Sequence, residues 1–253
     1  MGAMTRLFLA LLALLAPLAP RSALALALAT AACGSGSDSA SPDAGPDAED
    51  LCPGQVTFEA EARLLASSMT LVGIAVADGD DPGSAASSAP NGRVVLCLDD
   101  AVGQVVASHN QRLERRDTLE ASVLEDLRMA SQPYPLEMAS AEQLDLAYAD
   151  FEITRSEQAT QLVVAVATLP GGEPTADVVV QVEEPSGKSL NYDLSGGFLD
   201  SDQTGAGGGV LVSNVMGETA TVTVEPTFDA ACVGPSSVAL QPGGVAGAVW
   251  TCR

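Results

Sequence analysis

The chain is poor in positive charge, in histidine and in aromatic side chains. Eleven Lys and Arg residues face 33 Asp and Glu over 253 residues, a formal charge of −22, and Lys188 is the single lysine. A surface of that sign repels phosphate backbones, which argues against nucleic acid as a partner, and it discourages docking on anionic lipid faces. The only histidine, His109 in "ASHNQRL", has no nucleophile motif or G-x-S-x-G near it. Nucleophilic catalysis needs a positioned base. His109 therefore reads as a surface residue, and no catalytic residue is assigned. The five cysteines include no C-x-x-C pair and have no second histidine beside them, which argues against zinc. Long apolar runs are missing too. "LFLALLALLAPLAP" and "SALALALATAA" are broken by Pro17, Pro20 and Arg21 into pieces shorter than the ~20 residues a membrane span needs.

What is there begins with those apolar pieces. Preceded by Arg6 and lacking any acid, residues 1–32 read as an export signal. Nine of the 11 bases then remain against all 33 acids in the part that follows. Export implies an oxidising compartment, where an odd cysteine count leaves one thiol unpaired unless it has another task. Thr30, Ala31 and Ala32 lead into Cys33, a narrow peptide that a signal peptidase can grip. The stretch "TAAC" resembles a bacterial lipobox, with Thr30 in place of the usual leucine. That resemblance implies a diacylglyceryl thioether on Cys33, and Gly34 after it favours the outer membrane or cell surface. Ordinary cleavage and secretion to the periplasm is the alternative. With Cys33 lipidated, four cysteines remain. The simplest pairing by segment is Cys52 with Cys97 and Cys232 with Cys252, one of three connectivities open to four cysteines. Each bridge would contribute ~3 to 4 kcal/mol in the chain-entropy model.

Residues 34–50 contain only Gly, Ser, Ala, Pro, Asp and Glu, a composition that cannot bury enough apolar area to fold. With Cys33 they form an acidic tether, 33–50, whose root-mean-square span is on the order of 20 to 25 Å. Beyond it the pattern changes to period two. In "QVTFEAEARL", Val56, Phe58 and Ala60 alternate with Thr57, Glu59 and Glu61. "MTLVGIAVADG" and "GRVVLCLDD" read as further strands of a first module, 51–110. From 161 to 253, "QLVVAVAT", "DVVVQVEE", "GGVLVSNV", "TATVTVEP", "SSVALQP" and "VAGAVWTC" read as short strands parted by Pro, Gly and Asn. The segment between, 111–160, reads as a partly helical connector. "RDTLEASVLEDLRMA" spaces Leu119, Val123, Leu124 and Leu127 as a helix capped by Asp117, with a strand left open as the alternative. "SAEQLDLAYADF" has Ser140 and Gln143 as a capping box and a stripe of Leu144, Ala147, Tyr148 and Phe151. That stripe reads as core packing, with a groove for a partner helix as the alternative.

In "TGAGGGVLVSNVMG" the order of Thr204, Gly208, Val210, Val212, Asn214, Val215 and Gly217 resembles the transthyretin-like, carboxypeptidase regulatory-like domains. "TLVGIAV" (Gly73, Val76) and "SAPNGRVVL" (Ser88, Gly92, Val94, Leu96) echo the same pattern, so the resemblance covers about 161–252 and, more loosely, 54–110. It implies a seven-stranded β-sandwich without catalytic residues, used for spacing, folding or recognition. The acidic turns "DGDDPG" (Asp78, Asp80, Asp81) and "LDSDQTG" (Asp200, Asp202) offer hard oxygen ligands for calcium, although neither has the EF-hand pattern. Solvated loop tips are the plain alternative, for these and for Asp99 and Asp100. Gly207–Gly209 reads as a hairpin or bulge, and Lys188 lies in the turn "EPSGKSLN", where an isopeptide bond to an asparagine is conceivable. No cofactor is expected beyond calcium. The fold class expected is mainly β: two small β-sandwich modules joined by a partly helical segment, after a signal peptide and a disordered tether. The function expected is that of a lipid-anchored, non-catalytic envelope module that meets the membrane through its anchor and an unidentified protein or carbohydrate ligand. A calcium-assisted adhesive protein and an accessory module of an extracellular hydrolase or peptidase are the alternatives.

Overall fold

The structure, a computed structural model, describes residues 51–101 and 103–253. The signal peptide, Cys33 and the tether of 33–50 lie outside the described residues. The first strands are β1 (Val56–Leu64), β2 (Ala75–Asp78), β3 (Ala85–Ser87), β4 (Arg93–Leu98), β5 (Gly103–Ser108) and β6 (Arg115–Leu119). Helix α1 (Ala121–Met129), β7 (Tyr134–Met138) and helix α2 (Ala141–Ala149) follow. Then come β8 (Thr160–Thr168), β9 (Glu173–Pro174), β10 (Val178–Val182), β11 (Ser189–Tyr192) and β12 (Phe198–Asp200). The chain ends with β13 (Gly209–Val215), β14 (Thr219–Pro226), β15 (Cys232–Val233), β16 (Ser237–Ala239) and β17 (Val245–Cys252). The fold is mainly β, as its alternating and β-branched segments predict.

The largest sheet runs β12-β11-β13-β8-β17-β6-β5-β2-β3, and off this path β15 pairs with β17 and β9 with β8. It crosses the sequence boundaries at 110 and 160. β17, from the end of the chain, enters parallel to both β8 and β6 and so ties residues 161–253 to residues 75–119. β8 and β17 are buried almost throughout, which is why "TQLVVAVAT" and "VAGAVWTC" read as apolar runs with little alternation. Their side chains point alternately to two sides. Leu162, Val164, Val166, Ala246, Ala248 and Trp250 fill a core under the small sheet β10-β14-β16. On the opposite side Ala165 and Val249 join a second core with Phe58, Leu96, Leu136 and Leu127, under the sheet β4-β1-β7 and α1. A third cluster gathers Leu144 and Tyr148 of α2 with Val163, Leu190 and Leu211.

The two helices differ from their sequence patterns in an instructive way. Ser140 caps α2 by accepting the Gln143 amide at 3.1 Å, as expected. The Gln143 side chain does not reach back to complete the box; it donates to the Leu65 carbonyl at 2.9 Å and pins the helix to the turn after β1. Leu144 and Tyr148 are buried and Ala147 and Phe151 half-buried, so the stripe is core packing. Asp117, expected as the cap of a helix, lies on strand β6, and α1 starts only after Glu120, which makes no side-chain cap bond. Pairing with β5 on one side and β17 on the other, together with a buried ion pair, outweighs the local helical preference there.

Disulfides join Cys52 to Cys97 and Cys232 to Cys252. The first ties the entry of β1 to β4; the second crosses directly between β15 and β17.

Candidate functional site

The acidic turns of the sequence fall in two separate places. Asp78, Asp80 and Asp81 line a cavity of about 160 Å³ with Asp99 and Asp100, at the ends of β2, β4 and β5. The turn consumes part of their capacity. Asp78 Oδ1 accepts the Asp80 amide at 2.9 Å, Asp81 Oδ1 accepts the Gly83 amide at 3.1 Å, and Asp99 accepts the Gln55 side-chain amide at 2.7 Å. Asp200 is elsewhere, paired with Lys188 at 2.9 Å, and the Asp202 carbonyl accepts the Val180 amide. Among the described residues no group of three or more His, Cys, Asp or Glu converges as a metal would require. Lys188 is exposed and its amine is held by Asp200.

His109 is half-buried, and its Nδ1 accepts the Gln111 amide at 3.2 Å. Among the described residues it contacts no nucleophile. The residues of the transthyretin-like pattern have mechanical tasks. The Thr204 hydroxyl donates to the Thr175 carbonyl at 2.7 Å and accepts the Val178 amide at 3.0 Å. Asn214 sits in the left-handed region at φ 53°, where β13 slips its register against β8, and its side chain holds the loop at Thr154 and Ser156. Asparagine tolerates that backbone because its short amide satisfies nearby groups.

The strongest concentration of chemistry was not foreseen. Arg115 and Asp117, two apart on β6 and so on one face, form a fully buried fork, with Nε to Oδ2 at 2.6 Å and Nη2 to Oδ1 at 2.7 Å. Tyr134 donates to Asp117 at 3.1 Å, and Arg115 also donates to the Glu137 carbonyl. The buried Glu137 carboxylate accepts both Arg63 Nε and Nη2, at 3.1 and 2.8 Å, on one oxygen and the Tyr192 hydroxyl on the other. Burial works against the Arg115 charge, yet Asp117 beside it more than compensates and raises its pKa above the ordinary value. Burial, then the neighbouring carboxylates Asp117 and Glu137, push the Tyr134 and Tyr192 hydroxyls well up. Space for the fork comes from Gly247 of β17, which pairs with Asp117 of β6. A Cβ there would collide with the Arg115 guanidinium and the Asp117 carboxylate. The network joins β1, β6, β7 and β11, and all its members but Arg63 are buried, which makes it a structural lock. A faint signal existed in "RRDTL", whose R-x-D spacing suits a strand face.

Beside α2 lies an open groove of about 660 Å³, floored by Leu65, Phe151 and Phe198 and edged by Leu146, Glu142 and Asp150. None of its lining residues is basic. Among the described residues no helix is long and apolar enough to cross a membrane.

No protein-family model matches the sequence, transthyretin-like and lipoprotein models included, and no curated protein matches it. Solved structures offer loose likenesses. The chain is similar to the Bacillus anthracis TIE protein at 9% identity and a TM-score of 0.25, covering 78% of this chain and 34% of that one. It thus spans about a third of that protein. It is also similar to GBS52, the minor pilin of Streptococcus agalactiae (9% identity, TM-score 0.29, 78% and 94% covered). A third likeness is to the shaft pilin SpaA of Lactobacillus rhamnosus GG (9% identity, TM-score 0.23, 79% and 98% covered). At such scores none of the three fixes the fold or the activity of this chain.

Proposed function

We propose that this protein is exported, anchored through a lipidated Cys33, and serves in the cell envelope as a non-catalytic structural or binding unit. The observation that carries the reading is the fate of the cysteines. Four of the five are consumed in two bridges within the described body, which leaves Cys33 as the odd one, directly after the small residues of the signal junction. Disulfides persist in oxidising compartments, so the bridges support export, and the remaining cysteine suits acylation. Two or more acyl chains make such an anchor durable, at ~0.8 kcal/mol per buried methylene. The non-catalytic part of the reading leans on His109, whose Nδ1 accepts the Gln111 amide within its own turn and which has no nucleophile motif beside it in the sequence. Fractionation of cells carrying Cys33→Ala tests the anchor. The variant is expected to leave the membrane fraction and appear as soluble exported protein with both bridges intact. A variant that stays with the membrane as fully as the parent would refute the anchor.

A further inference from the structure

Resting on the binding-unit reading, we infer that the groove beside α2 receives an extended, positively charged peptide segment of a partner protein, one bulky apolar side chain seated between flanking Lys or Arg residues. Three features of the groove argue for this occupant. Its floor is apolar, and Leu146 on its margin is 68% exposed, an aliphatic side chain held in water at the edge of a concave surface. Its rim is anionic: Glu142 and Asp150 make no side-chain hydrogen bond or ion pair among the described residues, and no base lies among the lining residues. On its far side lies Phe198 of β12, the end strand of the largest sheet. In the β11–β12 pairing the Asp193 amide meets the Gly197 carbonyl and the Ser201 amide meets the Ser189 carbonyl. Hydrogen-bonded pairs alternate along an antiparallel ladder, so Leu199 faces β11 while Phe198 and Asp200 turn their N–H and C=O groups outward. Further along, that outward edge is taken by β10, through Val180 to Asp202 and Thr204 to Val178, both at 2.8 Å. On the other side the turn before β12 is bridged from Ser195 to Ser67, and between these two pairings, at Phe198, which lines the groove, the edge stays open for a short added strand.

Charge selects among occupants. A second copy of this chain carries the same −22 excess, and the stretch 34–50 has five carboxylates and no base, so both have the wrong sign for the rim. An anionic bilayer is repelled for the same reason.

The test uses the mature protein and an octapeptide alternating lysine with valine and phenylalanine, a second with glutamate replacing lysine, and a third with alternate backbone amides of the first N-methylated. Fluorescence anisotropy is expected to show the basic peptide binding about tenfold or more tighter than the acidic one, with the N-methylated form losing a similar factor. Glu142→Lys with Asp150→Lys is expected to weaken the basic peptide about tenfold, whereas Asp80→Lys with Asp81→Lys, an equal change of charge at the other acidic site, changes it less than about threefold. Circular dichroism confirms that each variant is folded, and the unmethylated and N-methylated peptides test the groove without altering the protein. Equal affinity for the acidic and basic peptides, equal losses in the two charge variants, or sedimentation of the acyl-free Cys33→Ala protein with phosphatidylcholine–phosphatidylglycerol vesicles would overturn the inference. The fractionation of Cys33→Ala does not depend on the groove, so failure here leaves the anchor standing and failure there leaves the groove.

Discussion

The two sides of β8 and β17 are packed by different means. On one side, beneath β10-β14-β16, Leu162, Val164, Val166, Ala246, Ala248 and Trp250 gather in an apolar cluster that includes the Cys232–Cys252 bridge. On the other, a comparable apolar layer is interrupted by Arg115, Asp117, Glu137 and the hydroxyls of Tyr134 and Tyr192. The contrast teaches that shape and area hold the first side, where one atom more or less shifts stability in proportion. The second depends on complete pairing, where loss of one partner strands a buried charge.

The comparison breaks most sharply at the fork. Asp117→Ala removes the counter-charge of a fully buried guanidinium and should cost ~3 to 5 kcal/mol, read as a lower midpoint in urea unfolding. Arg115→Met together with Asp117→Leu, which replaces the pair by apolar groups, should recover most of that loss. On the apolar side Leu162→Ala should cost about 3 kcal/mol through cavity formation, and no second substitution nearby should rescue it without restoring volume.

Alkaline unfolding sharpens the difference. Tyr134, Tyr148 and Tyr192 have raised pKa values, so above about pH 10 the native state keeps protons that the unfolded chain releases. Stability should therefore be intact below that pH and fall as the pH rises beyond it. Tyr134→Phe should cost about 1 to 2 kcal/mol at pH 7 through loss of its bond to Asp117, and its deficit should shrink by pH 11 because phenylalanine has no proton to lose. Away from both cores the effects decline. Ser140→Ala should cost about 1 kcal/mol by uncapping α2. Lys188→Ala, at an exposed pair with Asp200, should cost less than about 0.5 kcal/mol in the same unfolding assay.

This division also separates what the sequence announced from what it concealed. The alternation of Val56, Phe58 and Ala60 and the apolar density of "QLVVAVAT" announced strands, because burial of such side chains is what fixes them. Ser140 announced its helix through a cap that acts within one turn. Asp117 misled because two of the residues around it are distant in sequence, Tyr134 beyond α1 and Gly247 on β17, and only Arg115 is local. The R-x-D spacing reports the pair with Arg115 alone, and no local pattern reports the approach of Tyr134 and Gly247. The passage of β17 between β8 and β6 was hidden for the same reason, since a parallel pairing between residues 115 and 245 leaves no turn signal. The acidic turns were visible as sequence, but their separation into one cavity and one exposed ion pair depended on topology. The open edge at Phe198 likewise follows only from knowing which strands pair.

Intact mass spectrometry of the mature, unreduced protein, with and without alkylation, reads directly how the five cysteine sulfurs are used. The expected product begins at Cys33, carries acyl mass on that residue, and takes up no alkylating agent, because Cys52–Cys97 and Cys232–Cys252 are closed. A mature chain that begins elsewhere or lacks acyl mass would contradict the anchor, and alkylation at any of those four cysteines would contradict the braced body.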